Sequence, residues 1–234
     1  YTVREPARKG VGQDLTEIPL TNVLSYLLQR KQAYLGHILG ISIFIMVVYA
    51  LNLWGPTYFI RTFEYTRPEA GWVFGLVMIL AGTFGLLTAG LLSDKLMARG
   101  IHDAYIRMIL FSMLAIMPCA IALGFIENDK LAIVAMAFAI YFSAFQGGIS
   151  GGALQLMTPN RMRGQVTALF LLAANLIGLG LGPTVIAMVT DYIFMDEAAI
   201  GKSIALCTLL LCPTGAFILW RSMPAIQKQL TEQG

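Results

Sequence analysis

From Gly71 to Ser93 the chain runs GWVFGLVMILAGTFGLLTAGLLS without a single charged residue. An apolar stretch of roughly 20 residues is long enough to cross a bilayer as a helix. Five more stretches repeat the pattern. Together they predict six spanning helices at about 36–60, 70–93, 105–126, 131–159, 165–194 and 201–220. At about 1.5 Å of rise per residue each can cross with some tilt. The polar connections are short, so consecutive helices are expected as antiparallel neighbours. The fold class predicted is all-α integral membrane, a six-helix transmembrane bundle over 36–221, preceded by a cytoplasmic segment (1–35) and followed by a cytoplasmic tail (222–234). Within the first segment, Leu20, Val23, Leu24, Leu27 and Leu28 recur at helical spacing ahead of Arg30 and Lys31. That pattern fits an amphipathic helix on the membrane surface, or an inward extension of the first spanning helix.

Composition agrees with lipid as the solvent. The chain is 57% hydrophobic and 12% charged, whereas soluble domains carry about 25% charged residues. The bases sort by side. With Tyr1 placed in the cytoplasm, the inside holds Arg4, Arg8, Lys9, Arg30, Lys31, Lys95, Arg99, Arg107, Arg161, Arg163, Arg221 and Lys228, and the outside only Arg61, Arg67, Lys130 and Lys202. The positive-inside rule then puts both termini in the cytoplasm. No basic face of the kind that binds nucleic acid is present in the pattern. Cys119, Cys207 and Cys212 lie inside apolar segments and read as small buried hydrophobes, not as a disulfide framework. No metal or cofactor is expected. The chain reads as the middle of a longer protein.

The residues after the second apolar segment are the most specific. Gly90-Leu-Leu92-Ser-Asp94-Lys95-Leu-Met-Ala-Arg99 resembles the cytoplasmic loop signature of the major facilitator superfamily, Gly-x-Leu-x-Asp-Arg-x-Gly-Arg-Arg/Lys. Gly90, Leu92 and Asp94 match, Lys95 stands in for the Arg, and Met97 replaces the second Gly. In that family the signature occurs once in each six-helix half, more loosely in the second. Arg4-Glu-Pro-x-Arg8 resembles the exit of the family's sixth helix, and Thr158-Pro-Asn-Arg161-Met-Arg163 its loop between the tenth and eleventh helices. Asn175-Leu-Ile-Gly178-Leu-Gly180-Leu-Gly182-Pro183 with Asp191 is similar to the eleventh helix of bacterial spinster-type members. The resemblance implies the C-terminal half of a twelve-helix transporter, located in a bacterial inner membrane. Its partners would be the bilayer, the missing N-terminal half, and a small-molecule or lipid-like substrate. It further implies a conformational latch of Gly90, Asp94, Lys95, Arg99, Arg161 and Arg163 working against the other half. In physical terms a carboxylate is favoured near a helix N-terminus; alternatively, Asp94 caps the loop and balances Lys95.

The resemblance also implies a cavity lined by the first and fourth helices, with the substrate near the bilayer midplane between two rocking halves. Tyr49 and Asn52 share one helical face with Pro56. Tyr141, Phe145, Gln146 and Ser150 lie around mid-depth of the fourth helix, and Asn175 on the fifth. These seven are the candidate substrate-binding residues: Tyr49, Asn52, Tyr141, Phe145, Gln146, Ser150 and Asn175. An unpaired amide at that depth is costly, so Asn52 and Gln146 either face the pathway or bond between helices. Gly55 and Pro56 are a candidate hinge, or mark a static bend. Gly147, Gly148, Gly151 and Gly152, with Gly178 and Gly182, are expected to let helices approach closely. No Asp, Glu, Lys or Arg lies deep in a segment, so any proton coupling would reside in the other half.

Two other classes compete. Gly148-Ile-Ser150-Gly151 fits the Gly-x-Ser-Gly of six-helix rhomboid proteases. A serine nucleophile needs a base in reach, and the only histidines are His37 and His102, with none after Ser150. A self-sufficient six-helix carrier or scaffold is the other. The expectation carried forward is a secondary or facilitative transporter and not an enzyme.

Overall fold

The computed structural model describes residues 18–233; the bases expected at Arg4, Arg8 and Lys9, and the first 17 residues of the predicted leading segment, lie outside them. A short helix, α1 (Leu20–Gln29), precedes six helices long and apolar enough to cross a membrane. These are α2 (Lys31–Phe63), α3 (Arg67–Ala98), α4 (Ala104–Ala122), α5 (Asp129–Met157), α6 (Arg163–Phe194) and α7 (Ile200–Gln233). Helix α7 continues through 222–233, the stretch expected as a tail.

Local chemistry sets the ends. Thr66 and Glu69 form a reciprocal capping box at the start of α3, with Pro68 in its first turn, satisfying amides that a helix N-terminus leaves orphaned. The Asn128 side chain accepts from the amides of Lys130 and Leu131 ahead of α5. Gly100, with φ of +85°, turns the chain after α3, a conformation free of strain only without a Cβ. Three π-helical turns interrupt the long helices: Met78–Gly82 in α3, and Ala174–Leu179 and Val189–Phe194 in α6. Helix α5 breaks once, at Ala144.

The helices pack as a row with two at its back. Helices α2 and α5 stand in the middle, α6 flanks α2, and α3 flanks α5. Helix α7 packs behind α2, and α4 behind α5; α3 and α6 make no substantial contact with each other. The central α2 is apolar all round and largely buried, as a helix surrounded by others must be. The flanking helices expose long apolar rows, among them Trp72, Ile79 and Leu91 on α3 and Leu172, Leu176 and Ile193 on α6. Small residues bring the backbones together. A Cβ on Gly182 would meet the Met46 main chain, and one on Gly178 the Ile45 side chain. Gly40 and Gly215 face each other across α2 and α7. The run on α5 differs from expectation: of its four glycines only Gly148 is closely approached, by Leu86, while Gly151 has open space.

Helix α1 is a separate element. The backbone turns at Arg30, whose φ of −112° and ψ of 29° leave the helical region. Val23 and Leu27 are buried, while Leu20, Leu24 and Leu28 remain exposed. An Ile18 carbonyl accepts from Gln165 Nε2 at 2.9 Å, fastening α1 beside α6.

Candidate substrate-binding site

The front of the row, formed by α2 and α5 between α6 and α3, carries most of the polar groups expected at mid-depth. Two of them meet. The Tyr49 hydroxyl donates to Asn175 Oδ1 at 3.1 Å, joining α2 to α6, and Asn175 Nδ2 donates to the Leu171 carbonyl at 2.8 Å. Asn175 sits within the π-helical turn Ala174–Leu179. Such a turn widens the helix by one residue, re-aims its side chains, and recurs at functional sites. Asn52 is half-buried one turn from Tyr49, and its Oδ1 has no hydrogen-bond partner. In a low-dielectric setting a buried, orphaned amide oxygen is costly, so Asn52 is an unsatisfied polar group at mid-helix.

The fourth-helix residues divide. Tyr141 and Gln146 are half-buried. Phe145 is 1% exposed and inside the core, within 6.4 Å of the rings of Phe111, Tyr141 and Phe142. Ser150 is also buried. The break at Ala144 turns Phe145 toward α4 and away from the open face. Gly55 is pressed against the Phe74 ring of α3, and α2 stays helical through Pro56.

The basic end holds the loop residues. Asp94, Lys95 and Arg99 are exposed at the end of α3, and Gly90 has open space beside it. Asp94 Oδ1 accepts from the Tyr105 hydroxyl at 3.0 Å. Arg163 Nε donates to the Thr158 carbonyl at 3.0 Å, closing the end of α5; Arg161 is exposed on the same loop.

Several contacts carry no signal in sequence. Trp54 Nε1 donates to the Pro183 carbonyl at 2.9 Å, and Arg61 pairs with Glu197 at 3.2 Å, tying α2 to α6 and to the turn before α7 at the end away from the basic one. Tyr34 donates to the Met157 carbonyl at 2.7 Å at the other end. His37 is fully buried against Phe170.

Asp103, in the α3–α4 loop, accepts from Arg107 Nε at 2.8 Å and from Gln227 Nε2 at 2.7 Å, so it ties the far end of α7 to the loop. Burial pushes its carboxyl up, but the bonds from Arg107 and Gln227 outweigh that and hold it below the ordinary carboxylate range. A depressed folded-state pKa contributes stability that is present above the unfolded value of about 4 and lost as pH falls through the folded value. Asp103→Asn is expected to lower stability by about 1 kcal/mol at neutral pH, since Arg107 is half exposed and its pairing is screened. It should also flatten the acid limb below about pH 4 in thermal unfolding of detergent-solubilised protein.

Six apolar helices of this length, with no strand among the described residues, define a multi-pass membrane protein. The sequence model of the Major Facilitator Superfamily matches residues 1–183, and the chain belongs to that family, one of membrane transporters. It is 26% identical over 211 residues to an MFS-type efflux pump of Mycolicibacterium smegmatis, an alignment covering 88% of this chain and 48% of the pump. The fold is similar to crystal structures of a bacterial homologue of the human lysosomal transporter Spinster. The inward-facing unoccupied form has a TM-score of 0.63 at 16% identity, covering 97% of this chain and 55% of that one. The inward-facing occupied form has a TM-score of 0.57 at 15% identity, covering 87% and 50%. The chain thus spans about half the length of the relatives it matches.

Proposed function

We propose that the chain is the C-terminal half of a secondary or facilitative transporter for small amphipathic or neutral polar organic solutes. The open face of α2, α5 and α6 forms one wall of its pathway. The observation that carries this is the Tyr49–Asn175 bond, a polar bridge at mid-helix beside the unpartnered oxygen of Asn52. Without charge, such a wall recognises hydroxyl, amide or carbonyl groups and leaves apolar parts to the flanking aliphatic surface. The second wall would come from an N-terminal half, and rocking of the two would expose the wall alternately to either side. The basic end of the bundle faces the cytoplasm of a bacterial inner membrane in this proposal. The last turns of α3 from Gly90 to Arg99, with Arg161 and Arg163, meet the other half when the cytoplasmic side closes. Gly55 and Pro56 serve as a packed bend rather than a hinge, because Phe74 fills the space beside them.

The test is uptake by proteoliposomes holding the full-length protein, across lysolipids, sugars, organic acids and drugs. Tyr49→Phe removes one hydrogen bond to Asn175 and is expected to raise the half-saturating concentration about fivefold; Asn52→Ala should do likewise. Phe145→Leu, a core change, should leave it unaltered. If Tyr49→Phe and Asn52→Ala both match wild type on a transported solute, the wall assignment is wrong and these groups only join helices.

A further inference from the structure

A groove of about 370 Å³ opens at the basic end of the bundle, where the α1–α2 junction meets the last turns of α7. Arg30 and Lys31 line it on one side and Lys228 on the other, with Gln29, Gln32 and Gln229 between them. Arg30 is held in place by stacking over the Tyr26 ring at 4.1 Å. Among the described residues the acid paired here is Glu232, which lies 3.9 Å from Lys228 and accepts from Gln229 Nε2 at 3.0 Å. That leaves a surplus of positive charge. Gln229 is 6% exposed, and its Oε1 has no partner. A buried acceptor left open costs free energy unless something donates to it.

The surroundings say what kind of molecule would. Lys31, Leu35 and Leu39 recur at i, i+4 and i+8 on α2, and both leucines are 41% exposed. Phe217, Arg221 and Lys228 recur at i, i+4 and i+11 on α7, with Phe217 61% exposed. Each helix therefore presents a stripe whose base stands at the membrane surface and whose apolar side chains climb toward its middle. A ligand for this groove needs a phosphate for three bases, a hydroxyl donor for Gln229, and acyl chains for the stripes above.

We propose that this groove holds an anionic phospholipid with a hydroxyl-bearing headgroup, of the glycerol-headed class. The phosphate lies among Arg30, Lys31 and Lys228, and a headgroup hydroxyl donates to Gln229 Oε1. Juxtamembrane bases of this kind attract anionic lipid. The bound lipid clamps α1 to the end of α7. This site depends only on the chain lying in a bilayer, not on what it transports.

The test uses full-length protein in detergent, with native mass spectrometry and thermal unfolding, titrated separately with phosphatidylglycerol, phosphatidic acid, phosphatidylcholine and inorganic phosphate. Phosphatidylglycerol is expected to bind and stabilise more than phosphatidylcholine. Lys31→Gln and Lys228→Gln should each weaken it about fivefold, at about 1 kcal/mol per base near the surface. Lys202→Gln, on the opposite end, should change nothing. Gln229→Leu should erase the preference for phosphatidylglycerol over phosphatidic acid while keeping phosphate-dependent binding, which separates recognition from misfolding. Equal binding of phosphatidylglycerol by wild type and Lys31→Gln/Lys228→Gln overturns the proposal. So does protection by inorganic phosphate equal to that by lipid, which would make the site one for a soluble anion.

Discussion

Replacing Gly182 by Val should abolish accumulation of folded protein, and even Gly182→Ala should lower its stability by at least about 1–3 kcal/mol, the usual cost of forcing atoms into a full site. The added carbon has nowhere to go, because it would meet the Met46 main chain, and backbone cannot rotate away as a side chain can. The contact fixes the α2–α6 spacing on which the Tyr49–Asn175 bridge depends, since Gly178 lies one turn earlier against Ile45. Lipid offers no hydrophobic drive to hold helices together, so close backbone approach carries much of the association. The control is Gly151→Ala on α5, where an added carbon meets open space; it should be neutral or slightly stabilising. Fluorescence-detected size exclusion and thermal unfolding in detergent read both. A Gly182→Ala protein as stable as wild type would mean that α2 and α6 are not in backbone contact at Gly182 and Met46.

Much of this architecture was legible in the sequence because lipid imposes a simple rule. A spanning segment must satisfy its own backbone and show apolar groups outward, so the six helices stand out by length and polarity alone. Tyr49 and Asn175 were legible for the related reason that polar groups at that depth need a partner. What stayed hidden depends on how neighbours fill space. Phe145 has the spacing of a wall residue, but the break at Ala144 turns it into an aromatic cluster that only the fold creates. Gly147 and Gly151 have the small-residue spacing of a close helix contact, yet Gly147 meets only the tip of Leu86 and Gly151 faces open space, whereas Gly178 and Gly182 make close contacts. The π-helical turns have no residue signature, since they arise from one extra residue in the hydrogen-bond ladder. The Asp103–Gln227 bond joins residues far apart in sequence through a stretch of α7 that reads as a tail. His37 reads as a residue at a helix start, and its complete burial comes from the packing of α5 and α6 around α2.

Asp94→Asn is expected to slow transport by the full-length protein by about 30-fold without lowering its unfolding temperature. The two readings of Asp94 separate on that pair of measurements. A carboxylate that merely caps the loop would act on folding, and its loss would appear in thermal unfolding. Asp94 is exposed, and its bond in this chain goes to the Tyr105 hydroxyl rather than to Lys95. That bond orients the carboxylate while leaving one oxygen and its charge facing outward. Gly90, one turn earlier, has open space beside it, as a surface awaiting a close neighbour would. A negative charge docked on the N-terminus of a helix in the proposed N-terminal half would gain up to about 2 kcal/mol in a partly buried geometry, which corresponds to about 30-fold. Tyr105→Phe leaves the charge but frees its orientation, so it should slow transport by a smaller factor, about fivefold for one hydrogen bond. Uptake and thermal unfolding on the same preparations decide between the readings. Normal transport by Asp94→Asn, or a fall in unfolding temperature that matches its loss of transport, would return Asp94 to the role of a loop cap. The intermediate rate expected for Tyr105→Phe rests on the direction of the carboxylate, which a loop cap would not require.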